Sequence, residues 1–210
     1  MAIRVLLADD HELVRQGLKA LLERQGLEVV AEASDGREAV RLVRDCSPDL
    51  AVLDLTMPLL NGLDAAREIL RLYPRTKTIL LTVHSEAAYV LASLEAGVQG
   101  YVLKTQAAPD LLLAIDEVSR GSIYLSPRVS RTVVEAYQTR TAVLPDPLTV
   151  RERQVLQLVA EGMTTKEVAT ALEISAKTAE SHRNHIMQKL QIHETANLTR
   201  YAIRHGLIEA

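Results

Sequence analysis

Over the first 120 positions, short apolar runs alternate with longer segments of a different rhythm. The runs are IRVLLA (3–8), EVVAEA (28–33), LAVLDL (50–55), TILLTV (78–83) and GYVLK (100–104). Their length and their Leu, Val and Ile content predict five buried strands. Between them apolar residues recur every three or four positions, which predicts helices around 13–24, 37–44, 63–72, 86–95 and 109–120. In the first, Val14, Leu18, Leu21 and Leu22 form one apolar face. Gly26, Gly97 and Gly121 each follow the last periodic residue of a helix, where a left-handed cap is wanted. Strands alternating with helices predict an α/β unit whose five-stranded parallel sheet is covered on both faces.

The rhythm stops after Gly121. Residues 122–147 read as a linker with a short helix, Ser126 at its N-cap and Pro127 at its first position, and with a proline-rich exit at Pro145 and Pro147. From Leu148 the pattern is wholly helical. TVRE (149–152) and TTKE (164–167) are capping boxes, and Ser175 is a third N-cap. Only LEIS separates the second helix from the third, a turn of helix-turn-helix length. A fourth helix is expected over 194–205, ended by Gly206. Three segments follow: 1–121, 122–147 and an all-α unit of four helices over 148–210.

Charge supports the division. Residues 1–120 carry 13 Lys and Arg against 18 Asp and Glu, whereas 148–210 carry 8 against 7. An acidic front and a near-neutral rear suggest units with different partners. Phe and Trp are absent, so stacking platforms for single-stranded nucleic acid are not expected. A single cysteine, Cys46, excludes an intrachain disulfide framework and a cysteine-rich zinc site. No apolar stretch is long enough to span a bilayer and no signal peptide is evident, so no membrane partner and a cytoplasmic location are expected.

Asp54 lies within the apolar run DLAVLDLTMPLLNG. A strand buried on both faces has no inexpensive place for a carboxylate, which puts Asp54 at the strand's end or gives it chemistry. Ligands of open parallel sheets bind at the carboxyl ends of the strands. Asp9 and Asp10 follow the first strand, Asp54 ends the third, Thr82 the fourth and Lys104 the fifth. Three carboxylates on one rim repel unless a divalent cation or Lys104 compensates them, and Mg²⁺ with oxygen ligands suits the set. Asp54 can then attack phosphorus as a nucleophile.

LLADDH, VLDLTMPLLNG, LLTVH and GYVLK together resemble the receiver domain of two-component response regulators, over Ile3 to about Gly121. The resemblance implies a flavodoxin-like (βα)5 fold with Asp54 as phosphoacceptor. It further implies Mg²⁺ held by Asp9, Asp10, Asp54 and the backbone carbonyl of Thr56, and phosphoryl binding by Lys104. Thr82 and Tyr101 would be the switch pair, the hydroxyl moving to the phosphoryl group and the ring turning inward. Receivers commonly have Pro after the lysine; here Thr105 follows, and a trans bond is expected.

In the third rear helix, AKTAESHRNHIMQKL, the residues Ala179, His182, Ile186 and Leu190 share an inward face. Lys177, Thr178, Glu180, Ser181, Asn184 and Gln188 face outward and can reach base edges, with Arg183 and Lys189 toward phosphates. The stretch from Leu148 to Leu207 resembles the LuxR-type DNA-binding domain. With a receiver in front, the chain resembles the NarL/FixJ family. That resemblance implies a transcription regulator that takes its phosphoryl group from a sensor histidine kinase and binds double-stranded promoter DNA as a homodimer. RNA polymerase is a further candidate partner, and no enzymatic turnover beyond self-catalysed phosphotransfer and dephosphorylation is expected. One rival is a Mg²⁺-dependent aspartyl-phosphate phosphatase, which needs a second acid where Thr56 stands. A second is a ligand-sensing regulator of the quorum-sensing kind, which needs a different, typically aromatic-lined front domain, and a third is a receiver-like switch that works without phosphorylation, disfavoured by the complete acidic set.

Overall fold

The computed structural model describes residues 2–138 and 147–208, apart from the side chains of Gln106, Ala107 and Tyr137. Pro145, expected in the linker exit, lies outside the described residues. The five expected strands are all present: β1 (Arg4–Ala8), β2 (Glu28–Ala33), β3 (Leu50–Asp54), β4 (Lys77–Thr82) and β5 (Gly100–Leu103). A sixth, β6 (Tyr124–Leu125), joins them from the segment read as linker, pairing parallel with β5. Two residues are too few to leave a periodic signal in the sequence. The order is β2-β1-β3-β4-β5-β6, every pair parallel.

Alternate residues of the central strands feed two cores, as the period of two requires. Val5, Leu7, Leu50, Val52, Ile79, Leu81 and Val102 pack against α1 (Glu12–Arg24) and α5 (Ala107–Ser119). Leu6, Ala8, Ala51, Leu53 and Leu80 face α2 (Gly36–Cys46), α3 (Gly62–Leu72) and α4 (Ala87–Glu95) on the other side. Leu18 and Leu22 of α1 are buried as predicted, whereas Val14 remains more than one-third exposed. Gly26, Gly97 and Gly121 all have positive φ. A single 3-10 turn, Lys104–Gln106, joins β5 to α5, and the Lys104–Thr105 peptide is trans.

α6 (Pro127–Gln138) continues the front unit, its Val129 buried in the same core as α4's Val90. The rear unit comprises α7 (Val150–Ala160), α8 (Thr165–Ala171), α9 (Ala176–Leu190) and α10 (Thr195–Arg204). Both capping boxes form, at Thr149 with Glu152 and at Thr164 with Glu167, and Ser175 accepts from Thr178 N. Leu156 and Leu158, Val168, Ala179 and Ile186, and Leu198 and Ala202 close one core from four helices. Leu198 is 1% exposed and internal to this core. The two units touch along α7, whose outer row meets the loop leaving β3.

Candidate phosphoacceptor site and DNA-reading helix

Asp54 is the last residue of β3, so its backbone completes the ladder while its side chain leaves at the rim. The carboxylate that interrupts an apolar run is thus 3% exposed and beside Asp9, which is equally hidden. Lys104 Nζ sits between them, 2.7 Å from Asp54 Oδ2 and 2.9 Å from Asp9 Oδ2. Burial pushes the Asp54 carboxyl up to about 6; Lys104 pulls it back, and Asp9 and Asp10 add to the rise. Burial also works against the Lys104 charge, but the two carboxylates outweigh it and hold its pKa above the ordinary lysine value.

Asp9, Asp10, His11 and Asp54 each offer one ligand atom within 4.8 Å of the others. Asp9 Oδ2 and Asp10 Oδ1 are buried atoms, facing Lys104 Nζ and His11 Nδ1 respectively, each at 2.9 Å. Clustered anionic oxygen donors of this kind fit a hard divalent cation such as Mg²⁺. His11 was not signalled by the sequence pattern. It is the N-cap of α1, and its Nδ1 lies 2.9 Å from Asp10 Oδ1. Thr56 is buried in the loop directly after Asp54.

Thr82 and Tyr101 meet through one residue. His84 N donates to Thr82 Oγ1 at 3.1 Å, and Tyr101 Oη donates to the His84 carbonyl at 3.0 Å. The Tyr101 ring is already inside, 1% exposed, so an inward turn is not left to be made from this conformation. Main-chain groups of His84 make this link, which no side-chain pattern could announce.

On α9, Ala179 and Ile186 are buried while His182 and Leu190 are only half-buried. Lys177, Thr178, Glu180, Ser181, Asn184 and Gln188 are all exposed on the outer face. The flanking cations have neighbours: Arg183 donates to Thr195 Oγ1 at 2.9 Å and Lys189 to Glu152 Oε2 at 2.7 Å. Glu180 accepts from Thr165 Oγ1 at 3.2 Å, which ties it to α8.

Residues 5–116 match the family model described as response regulator receiver domain, and residues 146–202 match that of bacterial regulatory proteins of the luxR family. The chain is a LuxR-type response regulator. The response regulator protein VraR of Staphylococcus aureus is 37% identical over 210 residues, covering all of both chains. A LuxR-family two-component response regulator from Aurantimonas is 37% identical, with a TM-score of 0.63 over 66% of this chain and 99% of that one. RcsB of Salmonella enterica serovar Typhimurium, solved on a promoter in the presence of phosphomimetic BeF3⁻, aligns with a TM-score of 0.67 at 29% identity, covering 96% and 98%. This response regulator therefore pairs a doubly covered parallel α/β receiver with a helix-turn-helix domain, and among its described residues no helix is long and apolar enough to cross a membrane.

Proposed function

We propose that this response regulator takes a phosphoryl group onto Asp54 from a sensor histidine kinase and thereby controls promoter binding by α9. The observation that carries the reading is the Asp54 carboxylate at the strand end, flanked by Asp9 and Asp10 and touched by Lys104 at 2.7 Å. An Asp54 oxygen attacks phosphorus in line. The new O–P bond forms as the P–N bond to the kinase histidine breaks, its electron pair leaving with the imidazole. Mg²⁺ held by Asp9, Asp10, Asp54 and the Thr56 carbonyl would neutralise the phosphoryl oxygens. Lys104 is placed to give up its contact with Asp54 and follow the new charge outward. Thr82, at the end of the adjacent strand, would then bring its hydroxyl to the phosphoryl group, shifting His84 and with it Tyr101.

The DNA half follows from the exposed row Lys177, Thr178, Glu180, Ser181, Asn184 and Gln188. Placed in a major groove, these side chains reach base edges, while Arg183 and Lys189 serve phosphates after exchanging their present partners. Two copies would read inverted half-sites about one helical turn apart, beside RNA polymerase, in the cytoplasm. The protein is a phosphoacceptor and switch rather than a catalyst acting on an outside substrate.

Incubation with acetyl phosphate and Mg²⁺ tests the site: intact mass should rise by one phosphoryl group in the wild type and not in Asp54→Asn. Labelling of the variant at the wild-type level refutes Asp54. Equal promoter affinity of labelled and unlabelled protein refutes the switch.

A further inference from the structure

The charged residues of α9 are Lys177, Arg183 and Lys189 against a single acid, Glu180. On a face that meets a polyanion a carboxylate is a cost, because it repels the phosphates that the neighbouring cations attract. Glu180 is exposed, and among the described residues no Lys or Arg lies within ion-pair distance of it. Arg183, three positions on, turns instead to Thr195 Oγ1 at 2.9 Å. Nor does local structure call for an acid here. Glu180 is the fifth residue of α9, past the first turn in which a helix N-terminus favours an anion.

What holds Glu180 is a hydroxyl. Thr165 Oγ1, on the first residue of α8, donates to Glu180 Oε2 at 3.2 Å, while the adjacent Thr164 and Glu167 are taken up by each other in the capping box. The bond crosses the helix-turn-helix corner, so it steadies the carboxylate against both helices. Glu180 Oε1 has no hydrogen-bond partner among the described residues. A carboxylate has lone pairs and no proton to give. In a major groove guanine offers N7 and O6 and thymine offers O4, all acceptors, and each repels it. Adenine sets its N7 acceptor beside the N6 donor, whereas cytosine presents its N4 amino group with no acceptor of its own.

We infer that Glu180, steadied by Thr165, is the specificity-determining residue for a cytosine in each half-site, accepting from its N4 amino group through Oε1. The inference rests on the reading of α9 as the DNA-reading helix. Glu180 works by exclusion as much as by attraction. It weakens binding to DNA in general and is compensated where a C·G pair stands beneath it, so competing sequences are rejected by an unmet charge. Thr165 is a positioning residue, since it acts through Glu180. Asn184, also exposed, is one turn farther along α9. Four residues of helix advance about 6 Å, roughly two base-pair steps, so Asn184 faces a different position of the half-site.

The test is selection of random double-stranded DNA by the full chain, with and without acetyl phosphate and Mg²⁺, followed by fluorescence anisotropy on single-base variants of the selected site. Wild type should fix a C·G pair at one position of each half-site and lose about tenfold in affinity when that pair becomes T·A. Glu180→Ala should lose this preference, keep those at the other positions and bind unrelated DNA more tightly, a combination that a merely structural residue does not give. Glu180→Gln keeps the size of the side chain and should move the position toward A·T, because an amide both donates and accepts. Thr165→Val should still favour C, but with a smaller penalty for T·A. A selected half-site with no fixed C·G pair overturns the inference, as does retention of the wild-type preference by both Glu180 variants. An unchanged penalty in Thr165→Val overturns the positioning role. Absence of any enriched sequence for the wild type would instead overturn α9 as the reading helix, and the inference with it.

Discussion

Asp54 carries two opposed demands: it is hidden at its strand end, and the proposed phosphoryl transfer needs it charged. Its pKa of about 6 reflects the first demand winning over the attraction of Lys104. An acid whose folded pKa is raised binds protons more tightly folded than unfolded, so its stabilising contribution is complete below the ordinary value of 3.8 and is lost as pH rises through about 6. Urea denaturation between these pH values, with chelator present, should show wild-type stability falling relative to Asp54→Asn by up to about 3 kcal/mol. A constant difference across the window would contradict the burial argument. The sequence placed Asp9, Asp10, Asp54 and Lys104 on one rim because strand ends are legible from apolar runs. It did not place His11 beside Asp10 or His84 between Thr82 and Tyr101, because those contacts depend on loop backbone with no periodic signature.

Two elements turn on close approach and capping. A Cβ at Gly62, the first residue of α3, would lie 1.9 Å from the Asp54 carbonyl oxygen, whereas one at Gly17 in mid-α1 would meet nothing within 4 Å. The same substitution should therefore have opposite signs. Gly62→Ala displaces the backbone of Asp54 and should cost more than about 2 kcal/mol in urea denaturation, with reduced phosphoryl uptake if Asp54 accepts the group as proposed. Gly17→Ala removes unfolded-chain freedom and should stabilise by about 0.5–1 kcal/mol. In α7, Glu152 closes the capping box and accepts Lys189 at 2.7 Å. Burial alone would raise its pKa, but the bonds from Lys189 and Thr149 prevail and hold it down to about 2. That stabilisation is present above the ordinary value of 4.5 and is lost as pH falls through about 2. Glu152→Gln should lower the melting temperature at neutral pH, by the equivalent of about 1 kcal/mol, and lower it less in acid. Both capping boxes were readable as four-residue strings; the tie from Lys189 was not, since it joins residues 37 apart.

At the scale of the molecule, the outer face of α9, proposed to read DNA, is open while α7 is held. DNA binding by this face should be strongly salt-dependent, and Arg183→Ala should weaken it for all sequences and reduce the salt slope by about 1, measured by anisotropy from roughly 50 to 200 mM salt. An unchanged slope would remove Arg183 from the phosphate contacts. The division into an α/β front and an all-α rear, the five longer strands and their order in the chain, both capping boxes and the residues of the acidic rim were determined by the sequence alone. Each depends on local periodicity or on residues at element ends, and such signals survive in one dimension. The tertiary structure decided the rest: that β6 extends the sheet from the supposed linker, that Tyr101 already lies inside, that Lys189 answers Glu152, and that Gln157 and Arg153 grip the loop beyond Asp54. In the sequence, Arg153 and Gln157 are polar residues on a helix like many others. What makes them a contact is the distance of some ninety residues that folding closes to 3 Å, and the physical reason is that hydrogen-bond partners are chosen by packing geometry, which no local pattern encodes.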